Sequence, residues 1–151
     1  MDEKPILTKK INSVSALIKK NFENSEFIKN NPEMTTLKGH VLGYVKRRHK
    51  QGQTVYQKDI EKDFSIGKST ASEILNLLEQ GGYIVRTPDP VDGRKKAIEL
   101  TPVTEELMAH LVATFRELNA KMLSDLTDEQ ISFLDTILDQ IIINLKGDSL
   151  C

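Results

Sequence analysis

The chain has 151 residues, 38% of them hydrophobic and 28% charged, a size and composition that suit one soluble globular domain and carry no mark of disorder. Its net charge of −1 conceals a division: residues 1–96 carry 18 Lys/Arg against 12 Asp/Glu, and residues 97–151 carry 3 against 10. No apolar run approaches the roughly 20 residues that span a bilayer, and the opening MDEKPILTKK lacks the apolar centre of a signal peptide, so a cytoplasmic location without membrane contact is expected.

Residues 6–28 place Ile6, Leu7, Ile11, Val14, Leu17, Ile18 and Phe22 at helical spacing, which predicts one amphipathic helix. NNPEMT at 30–35 breaks it. A second helix follows with Leu37, Val41, Leu42 and Val45 as its apolar stripe and KRRHK at its end. After a loop at Gln51-Gly52-Gln53, Thr54-Val55 is expected as a short strand, and residues 57–63 as a short helix anchored by Ile60.

From Gly67, a permissible N-cap, a stronger helix runs to Gln80 along Ala71, Ile74, Leu75, Leu77 and Leu78. Gly81-Gly82 supply a left-handed stop. The period then changes from 3.6 to 2. Ile84 leads one strand, Ala97-Ile98-Glu99-Leu100 makes the other, and residues 88–94 join them, with Asp92-Gly93 as a tight-turn pair. Thr101-Pro102 caps a long helix through Leu107, Leu111, Phe115, Leu118 and Met122. A last helix starts at the capping box Thr127-x-x-Gln130, with Leu126 and Ile131 spaced as a hydrophobic staple. Its apolar positions (Ile131, Leu134, Ile137, Leu138, Ile141, Ile142 and Leu145) outnumber what one face against a small core requires.

Gly67-Lys68-Ser69 resembles the end of a phosphate-binding P-loop, but the position five residues before Gly67 holds Lys62 and the preceding segment, EKDF, is charged. A nucleotide site is excluded on both counts. A glycine, a lysine and hydroxyl side chains at a helix start still suit an anion.

Two helices joined by a tight turn, followed by a hairpin with a basic tip, form a winged helix-turn-helix. The helix beginning at Gly67 would enter a DNA major groove, offering Lys68, Ser69, Thr70, Ser72 and Glu73. Arg94, Lys95 and Lys96 at the hairpin tip would reach the minor groove. Each element alone is commonly just a solvated surface; their order points to double-stranded DNA. The expected fold is mainly α with a small β-hairpin wing: a winged helix-turn-helix over 35–101, flanked by helices at 1–30 and 102–147, in one domain of 1–151.

The stretches GKSTASEILNLLEQGGYIVR and DPVDGRKKAIELT resemble the recognition helix and the wing of the MarR family of bacterial transcription regulators. The resemblance runs at motif level from about Thr35 to Thr101. It implies that Arg94 inserts in the minor groove while Asp92 holds the wing in shape. It also implies a homodimer on palindromic DNA, repressing transcription, with the terminal helices intertwined through Leu7, Ile11 and Val14 and through Leu134, Ile137, Ile141, Ile142 and Leu145. Modulation by a small anionic or aromatic ligand is implied as well. Three positions depart from the family's habit: Glu73, where a basic residue is frequent, Val91 in the wing, and Pro102-Val103-Thr104 after Leu100-Thr101.

Some relatives sense zinc through histidines in comparable helices, which makes His40 and His110 candidates for a zinc-responsive alternative. Zinc generally takes three or four protein ligands, and spacing does not gather Glu33, His49 or Glu106 around them. No metal and no cofactor is therefore expected. No catalytic motif is present, and Cys151, the one cysteine, has no usable histidine partner, so the chain does not read as an enzyme. The reading from another class is a winged helix that binds proteins and has no DNA duty.

Overall fold

In the computed structural model, which describes residues 3–147, the elements run α1 (Thr8–Glu23), α2 (Glu26–Asn30), α3 (Thr36–Lys50), α4 (Gln57–Asp63), α5 (Lys68–Gln80), β1 (Ile84–Pro88), β2 (Lys96–Leu100), α6 (Pro102–Met122) and α7 (Asp128–Lys146). Cys151 lies outside the described residues. The chain divides into two units between Leu118 and Asn119, within α6.

The core of the first unit draws on every element from α1 to α6. Helix α3 contributes Val41, Leu42 and Val45, α4 contributes Ile60, and α5 contributes Ala71, Leu75 and Leu78; Ile84 and Ile98 of the hairpin and Met108 and Leu111 of α6 complete it. Burying each large side chain is worth roughly 1.5–3 kcal/mol. Helices α3 and α6 approach closely at Gly39, where a Cβ would stand 3.0 Å from the Phe115 ring and 3.2 Å from Leu111. Phe22 of α1 stacks on Phe115, with ring centres 4.9 Å apart.

The single helix expected over 6–28 is two. Asn24 ends α1 by donating its backbone N–H to the Lys20 carbonyl, the Ser25 N–H donates to that of Phe22, and Ser25 is extended, with its hydroxyl accepting from the Ile28 N–H. Apolar periodicity hid the break, because Phe22, Phe27 and Ile28 on either side of it are all buried. Ile6 and Leu7 precede α1. Thr54-Val55 forms no strand: Val55 makes one isolated bridge to Ile98, whose N–H donates to the Val55 carbonyl at 2.8 Å.

Helices α4 and α5 end alike. At α4 the Ile66 N–H donates to the Glu61 carbonyl and the Ser65 N–H to that of Lys62; at α5 the Tyr83 N–H donates to Leu78 and the Gly82 N–H to Glu79. Both are Schellman closures, which require a left-handed residue. Gly82 supplies it at φ +78°, whereas at α4 it is Ser65, at φ +53°. A Cβ is strained there by about 1–2 kcal/mol, partly offset by the entropy glycine loses on folding. Ser65→Gly is therefore expected to raise the unfolding free energy by up to about 1 kcal/mol, measured as a higher denaturant midpoint at unchanged slope.

The hairpin pairs Ile84 with Leu100 through Pro88 with Lys96, so Pro88 closes a strand instead of opening the loop. In the second unit, α7 begins as the sequence predicts. Thr127 Oγ1 accepts from the Gln130 N–H at 3.1 Å, and Gln130 Oε1 accepts from the Thr127 N–H at 2.9 Å. None of the residues of α7 is buried. No helix among the described residues is long and apolar enough to cross a membrane.

Candidate nucleic-acid interface

The second helix of the helix-turn-helix, α5, separates its side chains into two stripes. Ala71, Leu75 and Leu78, at i, i+4 and i+7, face the core; Ser69, Glu73 and Asn76, with the same spacing, are exposed on the opposite side. Thr70 and Ser72 lie on the two flanks of that outward stripe, Thr70 exposed and Ser72 half-buried. Gly67 is extended (φ −75°, ψ 166°), which leaves the first N–H groups of α5 directed outward at the positive end of the helix dipole.

Between the start of α5 and the wing lies an open cleft of about 590 Å³. Lys68 comes from α5, Arg94, Lys95 and Lys96 from the wing, Lys58 from α4 and Arg86 from β1; against these six cations stand Asp59 and Glu61. The cleft thus carries a net positive charge and is positioned to attract anions. Four predicted site residues, Lys68, Arg94, Lys95 and Lys96, meet here; Gly67, Ser69, Thr70, Ser72, Glu73 and Asp92 do not line it.

The wing tip is closed by more than its turn pair. The Lys95 N–H donates to the Asp92 carbonyl at 3.0 Å, but Gly93 keeps a negative φ, so the expected Asp-Gly pair does not use the left-handed conformation that favours glycine. Asp92 Oδ1 accepts from both the N–H and Nε of Arg94, at 3.1 and 3.2 Å. The Arg94 side chain is 93% exposed, so this pair adds little stability and leaves the guanidinium free to be shared.

Three residues of the site, Tyr56, Arg86 and Asp89, were not singled out in the sequence. Asp89 Oδ1 accepts from the N–H groups of Val91 and Asp92 at 2.8 and 3.1 Å, an Asx turn that the run Asp-Pro-Val-Asp would signal. Its Oδ2 accepts from the Tyr56 hydroxyl at 2.5 Å. That hydrogen bond first, then the two N–H groups, hold the Asp89 carboxyl below its usual range. Arg86 binds α5 by donating to Glu79 and, at 2.6 Å, to Asn76 Oδ1. This fastens the first wing strand to the helix and lowers the pKa of Glu79.

The two histidines do not gather ligands. The His40 ring stacks on Phe115 with centres 4.3 Å apart, and His110 is exposed on α6. Burial against that neighbour, then the Arg47 charge, holds the His40 imidazole below its ordinary pKa, although the residue keeps much of its surface in solvent. Glu33 accepts a hydrogen bond from the Tyr83 hydroxyl. Among the described residues no three His, Cys, Asp or Glu side chains form a group able to hold a metal ion.

The family model that matches this chain is that of the MarR family, over residues 33–95, which hold α3 to the wing tip. Over these residues the chain is similar to the MarR family of transcription regulators. Solved structures agree over nearly the whole chain. The transcription regulator MarR from Oenococcus oeni PSU-1 is 26% identical, with a TM-score of 0.76 over 91% of this chain and 98% of that one. S. aureus MepR in its DNA-binding conformation is 25% identical, with a TM-score of 0.80 over 93% and 99%. A Listeria monocytogenes MarR-family protein complexed with 26mer DNA, 19% identical, shares the fold at a TM-score of 0.81 over 98% and 93%. A comparison with curated proteins gives no match. The matched residues hold α3–α5 and β1; α1, α2, β2, α6 and α7 lie outside them.

Proposed function

We propose that this chain is a homodimeric, sequence-specific regulator of transcription that binds palindromic double-stranded DNA. In this reading α5 lies in the major groove and the wing follows the backbone, with Arg94 in the adjacent minor groove. The cationic cleft that Lys68 shares with Arg94, Lys95 and Lys96 carries the reading, because it gathers positive charge from two separate elements in one cleft. The relatives described as DNA-bound or in a DNA-binding conformation support it. Ser69 and Glu73 on the outward stripe would face base edges, Glu73 accepting from a cytosine amino group, while Gly67, Thr70 and Ser72 would meet phosphates. Repression and modulation by a small anionic or aromatic ligand rest on the family resemblance, as does a cytoplasmic location.

Arg94→Ala tests the wing. Operator affinity is expected to fall by on the order of 1–3 kcal/mol, with the melting temperature unchanged, because a side chain this exposed packs against no core. Binding of random duplex should weaken steeply with salt as contacted phosphates release counterions. Affinity that ignores both the substitution and the salt favours the reading as a protein-binding module.

A further inference from the structure

Tyr56 is held at both ends. Its backbone N–H donates to Asp59 Oδ2 at 2.9 Å at the start of α4, and its hydroxyl donates to Asp89, 33 positions later, at the root of the wing loop. Asp89 in turn spends its other carboxylate oxygen on the N–H groups of Val91 and Asp92, and donates its own N–H to the Lys95 carbonyl at 2.8 Å. The Lys95 ammonium lies 5.7 Å from the centre of the Tyr56 ring. Two residues thus tie the helix-turn-helix to the turn, the returning strand and a cation of the tip.

A two-stranded hairpin is marginal on its own in water, and ordering each residue of its loop costs about 1–2 kcal/mol of backbone entropy. An untethered tip would meet that cost on contact with DNA and bind more weakly for it. We infer that Tyr56 and Asp89 are a positioning pair: they hold the wing at its working distance from the helix-turn-helix before DNA arrives, so that Arg94, Lys95 and Lys96 are presented in place. This deepens the DNA-binding reading above and rests on it. Neither residue needs to touch DNA.

Tyr56→Phe removes the hydroxyl and keeps the ring, the capped α4 and the carboxylate. Amide exchange at Val91, Asp92 and Lys95 is measured in the free protein. Affinity for a random-sequence duplex is measured across a salt series in the wild type, Tyr56→Phe, Arg94→Ala and the double variant. Tyr56→Phe is expected to speed exchange at the three amides and to weaken binding about 3–10-fold, the worth of one hydrogen bond. The salt slope should stay that of the wild type, because the same phosphates are contacted once the tip is ordered. In the Arg94→Ala background the loss should shrink, since the pair acts through the tip. Unchanged exchange at the three amides overturns the inference. So does a shallower salt slope, which would make the hydroxyl a direct phosphate contact, or an equal loss with and without Arg94. A wild type with no salt-dependent duplex binding overturns the DNA reading itself, and is told apart because it involves no variant.

Discussion

Leu75→Ala is expected to cost the chain about 2–5 kcal/mol of unfolding free energy, while Ser69→Ala, on the same helix, should change it by less than about 0.5 kcal/mol. Leu75 is fully buried in the core to which α4, α5 and the hairpin contribute, so truncation leaves a cavity that rigid neighbours fill only in part. Ser69 stands on the outward stripe, among exposed positions. The DNA phenotypes should be reversed: Ser69→Ala alters binding by the folded protein, whereas Leu75→Ala alters mainly how much protein is folded. Denaturant midpoints read the first difference, and duplex titration at a temperature where both variants are folded reads the second. Equal destabilisation by the two would mean that α5 is rotated from the orientation described here.

The sequence made this helix legible because its inward positions, its extended Gly67 and its Gly81-Gly82 stop all signal the same boundaries. The capping box at Thr127 was equally plain, since both partners sit within one turn. Where signals conflicted, the sequence misled: apolar periodicity ran across Asn24-Ser25, and only the local hydrogen bonds of Ser25 separate α1 from α2. The site divides in a similar way. Arg94, Lys95 and Lys96 form a local run and were visible. Arg86 and Tyr56 were not, because what gives them a role is a partner 7 to 10 or 33 positions away, set beside them only by the fold. Asp89 carried a local Asx-turn signal, but the stronger Asp-Gly pair three residues on drew the turn assignment.

Ile137→Asp is expected to abolish the proposed dimer and, with it, binding to palindromic DNA, although the recognition helix is untouched. Along α7, Leu134, Ile137, Leu138, Ile142 and Leu145 are all exposed, Ile137 at 53%. No residue of α7 is buried, whereas helices in proteins draw most of their stability from packing an apolar face, and a contiguous apolar stripe of this kind marks an association surface. Helix α1 shows the same feature independently, with Ile11 and Val14 exposed and Leu7 exposed just before it. Ile141, the other obvious target on α7, is half-buried, so a charge there would also disturb the chain's own packing. Ile137 isolates assembly: an aspartate is solvated in a monomer but unpaired in a closed seam, at a cost of several kcal/mol that twofold symmetry doubles. Loss of the dimer would separate two recognition helices that must stand about 34–36 Å apart to read successive half-sites, so palindrome affinity should fall to that of a single weak site. Sedimentation and duplex titration on the same samples check it. A wild type that sediments as a monomer at micromolar concentration, or an Ile137→Asp protein that remains dimeric, removes α7 from the interface.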